Sequence, residues 1–140
     1  MDFLLKALDN SIHENLSNVN SAIISKEKND ILQNLHLPIS TLKDYNKKLK
    51  QYRYIDELDD FKTGYYIRWI NIKDPDKIKL TNGAILLDVK IINESSYAIL
   101  KNRYNKLFKI NLNECIIFQK LSDQEKIILK AIDLSLIHIS

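Results

Sequence analysis

Side chains able to do chemistry concentrate between residues 61 and 120, where 11 basic residues stand against 5 acidic ones, a local balance of +6. Residues 1–60 balance to −2 and residues 121–140 to −1, so the net charge of +3 conceals a basic middle. Aromatic and cationic residues interleave there: Tyr65, Tyr66, Arg68, Trp69, Lys77, Lys79, Arg103, Tyr104, Lys106 and Lys109. Aromatic faces stack on unpaired bases, and cations meet phosphate. The same cations also suit the carboxylates of an acidic protein partner. Strand alternation assigns Tyr65, Ile67 and Trp69 to one face and Tyr66, Arg68 and Ile70 to the other. Trp69 is therefore expected in the core. Arg68, Lys77, Lys79, Arg103, Lys106 and Lys109 are the candidate contacts for nucleic acid or an acidic partner. A lysine-coated surface with no partner is the competing account.

Catalytic equipment is missing. No GxxxxGK[ST], GxGxxG, HExxH or GxSxG pattern is present, so no catalytic residue is assigned and the expectation is not an enzyme. Three scattered histidines (His13, His36, His138) and one cysteine cannot assemble a four-ligand zinc site, so neither metal nor cofactor is expected. Cys115 precedes Ile116-Ile117-Phe118 and reads as a buried, inert thiol. Asp88, amid Leu86, Leu87 and Val89, reads as a solvent-facing or paired acid. Asp74 and Asp76 flank Pro75 in a turn and supply too few oxygens for calcium. No apolar run reaches about 18 residues, so no membrane span is expected. The start of the sequence carries no basic lead into an apolar run, so no secretion signal is expected.

The elements that would position these residues divide into three segments. Residues 1–61 read as a helical arm or hairpin. Asp2 can cap a helix of about six turns, with Leu5, Leu8, Ile12, Val19 and Ala22 on one seam and Asn15 within it. Helical spacing resumes through Ile31, Leu32 and Leu35 to about His36, and Pro38 interrupts it. Ser40 or Thr41 can cap a second helix with a seam of Leu42, Tyr45, Leu49 and Tyr52, ending near Arg53–Tyr54. Leu5, Leu8, Ile12, Val19, Leu42, Tyr45, Leu49 and Tyr52 are thus the candidate partner-binding residues. They would pair with another chain as a homo- or hetero-oligomer, coiled-coil fashion, or fold onto their own domain.

Residues 62–120 read as short strands: Tyr65–Ile72, Ile78–Thr81, Ala84–Ile92, Tyr97–Lys101, Lys106–Leu112 and Cys115–Gln119. Asn82-Gly83 is the strongest hairpin signal among the turns. An antiparallel meander or small barrel follows. Residues 121–140 read as a helix opened by the capping box Ser122-Asp123-Gln124-Glu125 and laid on the barrel. An apolar, alternating docking tail, Leu134–Ser140, follows it. The fold class is α+β.

Two resemblances bear on this. Ile78-Lys79-Leu80-Thr81-Asn82-Gly83, a long strand, then Tyr97-Ala98-Ile99-Leu100 resembles the strand order of Sm-like and SH3-like small barrels. It implies their fold, while the Asp and Asn that read RNA bases in Sm proteins have no counterpart between Asn93 and Ile99. Separately, Tyr52-Arg53-Tyr54-Ile55-Asp56-Glu57, Gly64-Tyr65-Tyr66-Ile67-Arg68-Trp69-Ile70, Lys79-Leu80-Thr81-Asn82-Gly83 and Ile117–Glu125 resemble uncharacterised proteins of giant nucleocytoplasmic DNA viruses. That likeness spans residues 52–134. It implies a viral setting, in the virion or the viral factory of the host cytoplasm, and no reaction. The combined expectation is a non-enzymatic structural or assembly protein, a minor virion component working through protein–protein contacts. The alternative is a nucleic-acid-binding small barrel.

Overall fold

The computed structural model describes residues 20–139. Leu5, Leu8, Ile12 and Val19, and with them most of the first expected helix, lie outside these residues. Helix α1 (Ser21–Gln33) begins at Asn20, which is extended, with φ −137°, and whose side chain accepts the Ile23 N–H. An extended Asn20 breaks the seam that was expected to run through Ala22. Ile24, Lys28 and Leu32, four residues apart, form the buried stripe of α1. His36 then turns the chain at φ 54°.

Helix α2 (Ile39–Lys48) has Pro38 at its N-cap with no side-chain cap, so Ser40 and Thr41 lie inside the first turn. The helix stops at Lys48, short of the expected Arg53–Tyr54. Lys28 explains how it ends. Its Nζ is buried and donates to the Leu49 carbonyl at 2.7 Å and the Lys50 carbonyl at 3.4 Å. The Leu49 carbonyl also accepts the Tyr52 N–H at 2.9 Å, and the cation on the C-cap carbonyl meets the negative end of the helix dipole. Burial pushes the Lys28 pKa down from its ordinary value.

The sheet contains β1 (Tyr52–Ile55), β2 (Tyr66–Asn71), β3 (Ala84–Ile92), β4 (Ser95–Lys101), β5 (Leu107–Asn111) and β6 (Cys115–Lys120), in the order β1-β6-β2-β3-β4-β5. Every pairing is antiparallel. Residues Tyr52–Ile55, expected at the end of a helix, form a strand because β6 offers them a full ladder from Tyr52↔Lys120 to Ile55↔Ile117. Conversely, Ile78–Thr81 is not a strand. Only Leu80 bridges Ile70. Asn82-Gly83 is not the hairpin turn either. The two-residue turn is Asn93-Glu94, both at positive φ (50° and 69°), between the paired Ile92 and Ser95.

The sheet curls without closing. Trp69 on β2 and Phe108 on β5 lie three strands apart, roughly 14 Å in a flat sheet, yet their ring centroids are 6.0 Å apart. Their concave side holds Ile67, Trp69, Ala84, Leu86, Ala98, Leu100 and Ile117. Trp69 is 9% exposed, as its alternation implied.

The convex side is covered over β1-β6-β2 by the two helices. Leu32, Tyr45 and Leu49 pack there on Ile70, Ile116 and Phe118, with Leu42 and Tyr52 at the margin. The Tyr45 hydroxyl also accepts the Leu80 N–H at 3.2 Å. Leu42, Tyr45, Leu49 and Tyr52 are therefore committed to this chain's own core, not to a partner. Leu42, Tyr45 and Leu49 face the sheet and Tyr52 is part of it, so burial there satisfies the same apolar stripe. The helices and sheet share one core across the expected boundary at residue 61.

Helix α3 (Asp123–Ile139) has the expected capping box. Ser122 N–H donates to Glu125 Oε1 at 3.0 Å, and Glu125 N–H donates to Ser122 Oγ at 3.1 Å. The helix continues through Ile139, so the expected alternating tail is helical. Its apolar contact is with α1, through Ile24, Ile128 and Leu129. Ser21 Oγ donates to Asp133 at 2.6 Å and locks the pair.

Candidate interaction face

On the half-sheet β3-β4-β5, the residues facing outward are set by the pleat. Ala98 and Leu100 point into the concave core, so Tyr97, Ile99 and Lys101 point out. Register then places Lys90 beside Tyr97, Lys109 beside Ile99, and Leu107 beside Lys101. Lys109 Nζ lies 5.1 Å from the Tyr97 ring centroid, a cation–π contact. Leu107 is 61% exposed. Among the described residues, the core under the first two helices draws its strand residues from β1, β2 and β6 and none from β3, β4 or β5, which leaves this half outside it. The result is an apolar strip (Tyr97, Ile99, Leu107) edged by Lys90, Lys101 and Lys109, with Asp88 of β3 beside Ile99.

The six basic candidates do not form one patch. Lys109 belongs to this face, and Arg103 and Lys106 sit in the β4–β5 connection beside it. Lys77 lies in a 3-10 turn after β2, and Lys79 borders a separate cleft with Asp44 and Lys48. Arg68 is held structurally: its Nε donates to the Thr81 carbonyl at 2.9 Å and fastens segment 78–83 to β2. Asp88 is exposed at a β-bulge and accepts the N–H of its neighbour Val89 at 2.8 Å. An acid at a bulge blunts the free part of the β3 edge.

Sequence reasoning missed a buried charge cluster. Glu125, 4% exposed, faces Lys62 Nζ at 3.2 Å and Arg53 Nη1 at 4.0 Å. Beside them Gln119 ties down the backbone of Lys62, accepting its N–H at 3.1 Å and donating to its carbonyl at 2.6 Å. Arg53 Nε and Lys62 Nζ make no hydrogen bond. Two cations thus depend on one carboxylate. The capping box was the only local trace of this cluster, because β1–β6 pairing is what brings the other residues together.

A cleft of about 340 Å³ opens at one end of the curl, between β1 and the chain that follows β5. Ile55, Leu58, Phe61, Leu112 and Ile117 line it, with Asp56 and Asn113 at its polar parts. Cys115 borders it too, and burial, with Glu114 beside it, pushes the thiol up to about 11. A rise from 9.0 to about 11 cuts the thiolate fraction about 100-fold at neutral pH. The greater intrinsic nucleophilicity of a more basic thiolate restores about tenfold. Native Cys115 is expected to react with iodoacetamide at pH 7.5 roughly tenfold more slowly than the urea-unfolded chain. Equal rates would show an open, ordinary thiol. The folded thiol keeps its proton where the unfolded one has lost it. Its contribution to stability is complete below about 9 and lost as the pH climbs through about 11.

No group of three or more His, Cys, Asp or Glu that could hold a metal exists among the described residues. No described helix is long and apolar enough to cross a membrane. Compared with protein-family models, curated proteins and solved structures, the chain matches none.

Proposed function

We propose that this chain is a non-enzymatic structural or assembly protein that works through protein–protein contacts, with the bare half-sheet face as its docking surface. The supporting observation is the asymmetry of the sheet. Helices cover the convex side over β1-β6-β2, while on β4 and β5 Leu107 is exposed and Tyr97 and Ile99 are partly exposed, outside that helix-covered core. An apolar centre with a lysine rim suits a protein surface of apolar centre and acidic rim. The setting, a minor component of a large DNA virus, rests on the resemblance of residues 52–134 alone.

A photo-crosslinking residue at position 99, introduced in the native source, is expected to capture protein at a yield well above the same residue at Ile39. Ile39 is an exposed control on α2. Equal yields at the two positions would remove the face from consideration.

A second reading, nucleic-acid binding, is favoured by Lys90 and Lys109 beside Tyr97, with Lys101 further along the same face of β4. It predicts association with single-stranded DNA or RNA whose log K falls with log salt at a slope of about −2 to −3, one counterion per lysine. The protein reading ranks first because the centre of the face is aliphatic, with Tyr97 its one ring for a base to stack on. A salt-steep titration, abolished by Lys90→Glu and Lys109→Glu, would reverse that ranking.

A further inference from the structure

The geometry points to head-to-tail self-association, in which the β4–β5 hairpin tip of one copy, Arg103 and Tyr104, seats in the cleft of the next. This rests on the protein-contact reading above only in its class of partner: it uses two surfaces separate from the half-sheet face and names the partner as a second copy. The cleft has an apolar floor formed by Ile55, Leu58, Phe61 and Leu112, and its volume is at the small end of ligand pockets, suited to one or two large side chains. Its charged lining residue is an acid. Asp56 lines it directly, and Glu57, Asp59 and Asp60 follow in the same loop. None of these four is in an ion pair among the described residues. An acidic lining residue repels phosphate and carboxylate and favours a cation carried on an apolar or aromatic stem.

That chemistry is displayed at the hairpin tip of the same chain. Tyr104 is 73% exposed, and Arg103 stacks over its ring at 4.9 Å while donating to its hydroxyl at 2.8 Å. The turn is preorganised. Asn102 Oδ1 accepts the N–H groups of Tyr104 and Lys106, and Asn105 adopts φ 61°. A rigid aromatic–arginine tip loses little entropy on docking, the property that makes such residues binding anchors.

The two surfaces cannot meet within one molecule. The cleft also contacts Ser96, Leu112 and Asn113, at the Tyr97↔Asn111 end of the β4–β5 ladder, and the tip lies beyond the Lys101↔Leu107 end. Five residue pairs separate them, about 17 Å along the strands. A second copy displaced along β4 brings tip to cleft, and its own tip is left free for a third. Such a contact is heterologous, so it propagates into a ring or an open filament instead of stopping at a dimer.

Sedimentation equilibrium of the full chain at low salt is the test. The expected result is a mass that rises with concentration beyond a dimer and falls as salt is added. Arg103→Glu and Asp56→Lys are each expected to weaken association at least tenfold. An equimolar mixture of the two, or the double variant D56K/R103E, is expected to restore it. Both positions are exposed, and matching thermal melts would confirm that the variants fold. A monomer at every concentration would overturn the proposal, as would charge reversals without effect or a mixture that fails to recover. Position-99 crosslinks to protein persisting in a strictly monomeric chain would reject self-association while leaving the protein-contact reading standing.

Discussion

Glu125→Ala is expected to cost about 3–5 kcal/mol in urea denaturation, the range for breaking a buried ion pair from one side. Against a typical domain stability of about 5–15 kcal/mol, that leaves a marginal protein. The cause is what remains behind. Arg53 and Lys62 stay buried with their carboxylate gone, and Arg53 Nε and Lys62 Nζ already lack hydrogen-bond partners. Alanine also removes the acceptor for the Ser122 N–H at the start of α3, a capping loss of about 1 kcal/mol. Glu125→Gln separates the two effects, because its amide oxygen still accepts that N–H while the charge is gone. The triple change Arg53→Met, Lys62→Met, Glu125→Met is expected to recover most of the loss, since an apolar replacement of a whole buried cluster is often close to neutral. If E125A and the wild type unfold at the same urea concentration, the cluster is solvated and this account of it is wrong.

Gly83→Ala and Gly64→Ala are expected to behave very differently although both glycines have positive φ (95° and 87°). At Gly64 an added Cβ meets nothing within 4 Å, so only the conformational cost of about 1–2 kcal/mol applies. At Gly83 the Cβ would lie 2.5 Å from the Ile67 carbonyl oxygen and 2.9 Å from Arg68 Cγ. The backbone oxygen cannot swing away without disturbing the pairing of Ile67 with Ala84, where β2 meets β3. A loss of at least about 3 kcal/mol is expected, strain and displaced ladder together. Thermal melts of the two variants side by side provide the check, and similar shifts would deny the close approach of segment 78–83 to β2.

The parts of the fold legible in the sequence were those with local signatures. The capping box at Ser122–Glu125 is reciprocal hydrogen bonding over one turn, and it stands as written. The placement of Trp69 in the core follows from alternation within a single strand. The seam Leu42-Tyr45-Leu49-Tyr52 was visible as a stripe, but a stripe does not say what it faces. Here Tyr45 and Leu49 are buried against β6 and β2, with Leu42 and Tyr52 partly buried at the margin of the same core. Tyr52–Ile55 carries no local strand signal, because its strand state depends on partners from Ile117 to Lys120, far downstream. Asn82-Gly83 carried a hairpin signal, yet Gly83 is needed for a close backbone approach, and Asn93-Glu94 makes the tight turn with a glutamate at positive φ. Of the basic candidates, Lys109 alone lies within the bare face. The residues that complete it (Tyr97, Ile99 and Lys101) required knowing which side of β4 the core occupies.

The pairing of Tyr52 with Lys120 has a consequence for biosynthesis. On the ribosome, β1 emerges early and waits for β6, the next-to-last element of the chain. Until then Leu49 and Tyr45 have no Phe118 to cover them, and the carboxylate that neutralises Arg53 and Lys62 has not been made. Nascent chains halted before residue 115 would therefore display an uncovered apolar surface and an unpartnered strand edge, the features that recruit chaperones. The core over β1 is complete only when β6 is in place, so β1 and the two helices before it depend on residues more than 60 positions downstream to bury Tyr45 and Leu49.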